Sequence, residues 1–539
     1  MSDVYNVPGV YVEEVGGLSL SIQNGETAVP VFVGVFNPKE RPRPETPVNA
    51  SACIRIDSWL DFTRQFAPSD RIKVDLSQAE KARVRGVPYM GSHSLRLYFE
   101  NGGGPCYVLA IDSDKSKLAD TLVQIVTAIE QCPEITLLCW CEYGGPAIDN
   151  AVYSTLDSLL GAGGSPFGNA GRFLLADAWP ETTTAEERNS PSAWTFQAPK
   201  LKASSQVASY FPALRTAYVR DFNDYVTGAD NPVLPYPHLL SVKGFSTDQL
   251  ALLNTFPITR GFNFKTLKAD TEVPFDILLE AIAEADAKAK EAKIKEGGKA
   301  KEEPKPTPPL LVPLVQLILQ TLKNELPDVT KKSAPVVLRA SVAMAGVYAR
   351  VDRERGVWKS PANVGVFGVT SLVAQGVSNA KKWDSIATVG LDDAMNEKLV
   401  KAGINAIRAF RGKGTLAWGA RTMLPSEQTD WRYISVRRLF NAIERDVREA
   451  LRSVVFEPNG AMTWELVRSA VDHYLNALWR KGALQGDTPE QAYYVQIGLG
   501  ITMSPVDIDH GKMIVKIGVA AVRPAEFIVL QLTQDVGAR

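Results

Sequence analysis

Residues 118–141 read LADTLVQIVTAIEQCPEITLLCWC, and residues 171–177 read GRFLLAD. The first thirteen residues carry the three- and four-residue apolar spacing of one helix face. CPEITLLCWC and GRFLLAD are short, nearly continuous apolar runs, the pattern of strands buried on both faces. Helix and buried strand in alternation predict an α/β layer with parallel strands.

Toward the N-terminus, LRLYFENGGGPCYVLAI (95–111) reads as a helix or strand, a glycine turn and a buried strand. DSWLDFTRQF (57–66) sets Asp57 as an N-cap before Trp59, Leu60, Phe62 and Phe66, which predicts a short helix. From Val4 to Val35 apolar and polar residues alternate, broken at Pro8-Gly9, Gly16-Gly17 and Asn24-Gly25. These are strand signals without a local helix to cover them. Their backbone groups must pair with a sheet in this subunit or in a neighbour.

Toward the C-terminus, residues 284–305 hold seven positive and six negative charges and run into PTPP, which predicts an exposed excursion of mixed sign. PPLLVPLVQLILQTL (308–322) is too short, and too interrupted by Pro and Gln, for a membrane span, and reads as a core helix. Val436, Leu439, Phe440, Ile443, Val447, Leu451 and Val454 mark one helix face. Val467, Val471, Tyr474, Leu475 and Leu478 mark a second, with FEPNG (456–460) as the turn between two packed helices. The chain ends in two β runs split by Arg523-Pro524.

The 539 residues hold 59 Lys plus Arg against 60 Asp plus Glu, a net charge of −1, so no whole-chain field draws nucleic acid or anionic membrane. The N-terminus lacks a basic segment followed by an apolar core, so a cytoplasmic start is expected. Five Cys and four His form no ligand spacing. The buried-strand setting of Cys132, Cys139 and Cys141 predicts free thiols that pack as small hydrophobes. RGKGT (411–415) lacks the first Gly of a phosphate loop, and no GxSxG elbow is present. Gly102–Gly104 suits a tight turn better than an anion nest. Asp507 and Asp509 suit a turn cap better than a cation site. Arg437, Arg438, Arg445, Arg448 and Arg452 outnumber the acids of their helix, and read equally as a solvated face or as a surface for an acidic partner.

The motifs VPGVYVEEV (7–15), FENGGGPCYVLAI (99–111), AGVYARVDRERGVWKSPAN (345–363), INAIRAFRGKGTLAWGARTM (404–423), WRYISVRRLF (431–440), VVFEPNG (454–460), LWRKGALQGDTPEQAYYVQ (478–496) and PVDIDHGKMIVKIGVAAVRPAEFIV (505–529) resemble contractile tail sheath proteins of phage tails, R-type pyocins and extracellular contractile injection systems. The resemblance implies a mixed α/β, multi-domain subunit. Its parts are an N-terminal arm (1–25), an N-terminal part of the core (26–105), a subtilisin-like middle domain (106–350) with an outer insertion at about 226–332, a tube-facing C-terminal domain (351–522) and a C-terminal arm (523–539). In the family both arms add strands to neighbours, which places Val7, Val10, Val12, Phe527, Val529 and Leu530 on donated strands. The five arginines become the candidate contact with an inner tube. The implied partners are further copies in a six-start helix, the tube, a baseplate and a terminator. No cofactor, metal, catalysis, nucleic acid or membrane insertion is implied, and assembly takes place in the bacterial cytoplasm, followed for some particles by release. Another structural or scaffold component of the same particle, or an α/β hydrolase, is the alternative.

Overall fold

The computed structural model describes residues 20–38, 52–67, 71–75, 83–87, 90–111, 118–143, 145–161, 171–181, 194–219, 335–374, 388–425 and 430–526, with short pieces between 239 and 281. The chain forms two compact units, Glu26–Arg438, and Leu439–Arg539 with Met1–Gly25.

The larger unit is built on a nine-stranded sheet. In chain order its strands are β1 (Pro30–Gly34), β2 (Ile54–Ile56), β3 (Cys106–Ala110), β4 (Leu137–Trp140), β5 (Phe173–Asp177), β6 (Val207–Phe211), β7 (Val364–Gly365), β8 (Ile404–Phe410) and β9 (Gly414–Trp418). They lie side by side in the order β7-β9-β8-β6-β5-β4-β1-β3-β2. The six from β8 to β3 are parallel, and β2, β9 and β7 pair antiparallel at the margins. The predicted parallel layer is therefore present, with strands drawn from both sides of residues 105/106 and 350/351.

Alternate side chains of the sheet enter two cores. Phe32, Val108, Cys139, Leu175 and Tyr210 pack under helices α1 (Met90–Glu100) and α4 (Ala340–Arg355). Val31, Val33, Leu109, Leu138 and Leu174 pack under α2 (Leu118–Glu130) and α3 (Pro146–Asp157). Burial on both faces explains why β1 is PVFVG rather than a half-polar strand; the opening segment's last run finds its sheet inside its own subunit, with a parallel neighbour on each side. Helix α4 is buried around most of its circumference over Ala340–Ala349, and a Cβ at Gly346 would stand 2.4 Å from the Tyr98 carbonyl, so glycine sets how closely α1 and α4 approach.

Several expectations sharpen. The short helix is Trp59–Gln65, and its N-cap is Ser58 rather than Asp57: Ser58 Oγ accepts from the Asp61 N–H, and Asp61 in turn accepts from the Asp57 N–H. Residues 102–104 form a turn in which Tyr98 Oη donates to the Gly104 carbonyl and accepts from its N–H. RGKGT closes the β8–β9 hairpin, with Gly412 and Gly414 at positive φ. Cys139 and Cys141 are buried free thiols, while Cys53 and Cys132 are free and half-buried, Cys132 lying outside the strand, and Cys53 Sγ donates to the Ala128 carbonyl at 3.6 Å. Burial and the neighbouring Cys132 push the Cys53 thiol up to about 12.

Within the expected insertion, Leu239–Ser241 and Glu272–Pro274 join Arg71–Asp75 and Arg83–Val87 in a four-stranded sheet. The charged excursion and the 308–322 run lie outside the described residues.

The smaller unit holds most of α5 (Ile434–Leu451) and all of α6 (Ala461–Arg480), the two helices read from periodicity. Leu439, Ile443 and Val447 are buried from the first, and Val467, Val471, Tyr474, Leu475 and Leu478 from the second. Tyr474 Oη donates to Asp446 Oδ2 at 2.9 Å and ties the pair. Tyr493–Gln496 pairs antiparallel with Lys516–Val519, the first of the two final β runs. Ser504 caps helix Pro505–Asp509 in a reciprocal box with Asp507, which is the turn-cap role for that carboxylate.

Candidate functional site

In open parallel sheets, ligand sites form at the carboxyl ends of strands where the strand order reverses. Here the chain passes from β1 to β3 on one side and returns to β4 on the other, so the reversal lies between β1 and β4. That crevice is filled. A Cβ on Gly34, the last residue of β1, would stand 2.9 Å from the Cys141 Cβ, and Glu142 Oε1 accepts from the Val35 N–H at 2.9 Å.

Beside it stands a buried ionic cluster that sequence patterning did not reveal. Arg339, the residue before α4, is 2% exposed. Its Nη2 meets Asp149 Oδ2 at 2.7 Å, its Nη1 lies 3.6 Å from Asp177 Oδ2, and its Nε donates to the Glu142 carbonyl at 2.8 Å. The guanidinium stacks 4.5 Å from the Tyr143 ring centroid. Asp177, which ends β5, accepts from the Ser341 N–H at 3.0 Å and Oγ at 2.6 Å, so it also satisfies an orphan donor at the start of α4. Trp140 Nε1 donates to Asp149 Oδ1 at 2.9 Å. Two carboxylates thus share one guanidinium. Burial raises the Asp177 carboxyl above its ordinary value, opposed by Arg339 and the Ser341 hydrogen bonds. Each group has its partners inside the fold, and the arrangement locks the crevice shut. Among the described residues no three His, Cys, Asp or Glu side chains are grouped to hold a metal, and no helix is long and apolar enough to cross a membrane.

The five arginines separate into different roles. Arg438 is buried and makes a two-pronged ion pair with Asp352, Nη1 to Oδ1 at 2.9 Å and Nη2 to Oδ2 at 2.6 Å. It also donates to the Thr27 carbonyl, while Thr27 Oγ1 donates to Asp352. The Tyr348 ring lies under its guanidinium at 4.6 Å. Arg438 therefore faces inward, and its place in the expected contact surface is corrected: a buried pair fixes the segment at Thr27. Arg437 stacks on Trp431 at 4.2 Å, and Arg445 pairs with the buried Asp446 at 2.9 Å. Arg448 on α5 and Arg452 just past its end reach the surface, each 2.7 Å from an acid of α5, Glu444 and Glu449 respectively. The helix thus presents balanced pairs rather than a bare positive stripe. Val7, Val10, Val12, Phe527, Val529 and Leu530 lie outside the described residues.

The chain is a subunit of mixed α/β fold whose sheet crevice is packed by its own side chains. The family described as the phage tail sheath C-terminal domain matches residues 426–535. Chains in two cryo-EM structures of the anti-feeding prophage, its contracted helical sheath and its baseplate, are 31% and 30% identical to this chain, cover 99% of it and 100% of themselves, and superpose with a TM-score of 0.58. A chain of the contracted sheath complex of the extracellular contractile injection system PVC is 29% identical, with 99% of both chains covered and a TM-score of 0.54. The tail sheath protein of Vibrio phage KVP40 is 27% identical over 188 residues; that match spans 35% of this chain and 25% of the phage protein. The chain belongs to the contractile tail sheath protein family.

Proposed function

We propose that this chain polymerises as a helical sheath around an inner tube, and that shortening of the sheath drives the tube through a target envelope. The observation that carries this reading is the match over nearly the whole chain to a contracted helical sheath. The subunit acts mechanically and breaks no bonds; the packing of Gly34, Cys141 and Glu142 in the crevice between β1 and β4 supports that part, because it fills the position where such a fold places a substrate. The terminal segments 1–25 and 523–539 act as arms, with Val7, Val10, Val12, Phe527, Val529 and Leu530 on strands donated to neighbours. The surface at the C-terminal end of α5, at Arg448 and Arg452 just past it, is the tube contact, a baseplate and a terminator bound the polymer, and the particle assembles in the cytoplasm and is released.

Negative-stain microscopy of the purified chain tests the reading. Tubes or hollow polysheaths are expected, and a chain that stays monomeric in every salt condition overturns it. A subunit confined to one ring at the baseplate is the second reading, favoured by the match to a baseplate assembly, and would give single rings without tubes.

A further inference from the structure

Two of the five cysteines stand apart from the others. Cys106, Cys139 and Cys141 have no exposed surface, whereas Cys53 and Cys132 are half-buried and lie outside helix and strand. Cys53 comes just before β2, the marginal strand of the nine-stranded sheet, and Cys132 just past the end of α2. The fold brings them to one place. Cys53 Sγ donates to the Ala128 carbonyl in the last turn of α2 at 3.6 Å, and the Cys132 N–H donates to the next carbonyl, that of Ile129, at 3.1 Å. Both side chains pack against the core under α2 and α3, and the Cys132 sulfur acts with burial to raise the Cys53 thiol. A cation completes the cluster. Arg172, the residue before β5, is buried, and its Nη2 donates to the same Ile129 carbonyl at 3.0 Å. Its Nε is buried without a hydrogen-bond partner among the described residues. The guanidinium stands near both sulfurs and opposes the effect of burial on Cys53. A fixed positive charge beside a thiol favours the thiolate, the form that attacks a disulfide.

We propose that Cys53 and Cys132 form an intramolecular disulfide when the folded chain leaves a reducing environment, and that the bond fastens β2 to the end of α2. One thiolate attacks a small disulfide such as oxidised glutathione and releases a glutathione thiol; the second cysteine then displaces the other glutathione from the mixed disulfide. The two cysteines lose two protons and two electrons and gain one S–S bond, and the small disulfide leaves as two thiols. The bond closes a loop of about 80 residues, which places it among the longer and more stabilising closures. It acts where the sheet is least held: β2 is three residues long and pairs with β3 on one side only. A reducing cytoplasm keeps the pair as thiols, and an oxidising exterior converts it. The chemistry needs one folded subunit and no polymer, so it is tested apart from the sheath reading.

The full chain, purified reduced, is incubated folded in glutathione buffers of rising oxidised fraction and quenched with acid. A Glu-specific protease then separates Cys132 from Cys139 and Cys141 at Glu134 for mass spectrometry. One linked pair of peptides, holding Cys53 and Cys132, is expected, and the thiols titrated after unfolding should fall from five to three. Hydrogen exchange at the β2 amides is expected to slow at least about tenfold on oxidation and to recover on reduction. Cys53→Ser is expected to exchange like the reduced wild-type chain in both buffers, which separates the bond from other effects of the oxidant. A folded chain that keeps all five thiols in fully oxidised glutathione overturns the proposal. So does a final product in which Cys53 or Cys132 is linked instead to glutathione, to another cysteine of the chain or to a second chain. A Cys53–Cys132 bond that leaves β2 exchange unchanged overturns the fastening of the strand.

Discussion

Replacing Arg339 with Met leaves Asp149 and Asp177 facing one another without their cation. Both carboxylates are nearly buried, and Arg339 is their shared ion-pair partner at 2.7 and 3.6 Å. Removing one side of a buried pair costs about 3–5 kcal/mol because the remaining charge stays uncompensated. The loss has an upper limit, since a stranded carboxylate can take a proton. From an ordinary pKa near 3.9, that costs about 4 kcal/mol at pH 7 and about 1.4 kcal/mol less for each unit of lower pH. The expected loss is therefore about 4 kcal/mol at pH 7, shrinking to about 1.5 kcal/mol at pH 5. Hydrogen exchange of the β5, β6 and α4 amides reads the opening free energy of this region directly, so unfolding elsewhere in the chain does not blur it. Adding Asp149→Asn and Asp177→Asn to Arg339→Met removes the stranded charges and is expected to recover most of the loss. A single-variant loss under about 1 kcal/mol at pH 7, or one equally large at pH 5, would refute the ionic account.

Asp177→Asn alone tests the raised carboxyl: the folded chain keeps that proton to higher pH than the unfolded chain, so its contribution is complete below about pH 4 and is lost as pH rises through the folded value. The variant is expected to flatten the fall in stability above pH 4, and an unchanged pH profile counts against the assignment. Asp352→Ala strands Arg438 and is expected to cost about 3–5 kcal/mol, read by exchange at α4 and the Thr27 segment; a loss within about 0.5 kcal/mol, the range of ordinary surface changes, would show the pair is not structural. Removal of residues 1–20 is expected to leave a folded chain that forms no tubes, and normal tubes would remove strand donation by that arm. Reversing Arg448 and Arg452 to Glu is expected to weaken co-assembly with the tube most strongly at low salt; an effect independent of ionic strength would point to packing instead.

Local periodicity made the helices readable. The face from Val436 to Val454 and that from Val467 to Leu478 lie where the three- and four-residue spacing puts them, because each helix buries one stripe. The strands were equally readable as apolar runs, but their order was not. β8 pairs with β6 across nearly two hundred residues, and nothing local in INAIRAF distinguishes that neighbour from any other. The site follows the same division. Arg437 and Arg438 are adjacent in sequence, yet about 100° of helix rotation turns one toward Trp431 and the other inward to Asp352, 86 residues earlier. A count of arginines cannot separate them. Arg339 shows a usable signal in retrospect: a single cation between the apolar run PVVL and the apolar helix ASVAMAGVYA has no route to water, so it requires buried acids.

Under the sheath reading, the clasp at Thr27 has a mechanical meaning. Tension on a donated N-terminal strand must enter the core where that segment ends. There Thr27 is tied three ways: its hydroxyl donates to Asp352, and its carbonyl accepts from Arg438 and from Thr136 Oγ1. Three residues on, β1 begins, with parallel neighbours on both sides and a packed helical layer on each face. A pull along β1 loads two hydrogen-bond ladders at once rather than peeling an edge strand one bond at a time. A packed, cross-tied core has few alternative arrangements of similar energy, so the two states of a contracting polymer must differ in the contacts between subunits. The near-equality of 59 basic and 60 acidic residues fits the same requirement, because copies stacked in large numbers with a strong charge of one sign would repel in both states. Stiffness inside the subunit and adjustable contacts outside it are what allow a small interfacial energy difference, repeated along the helix, to be delivered as motion.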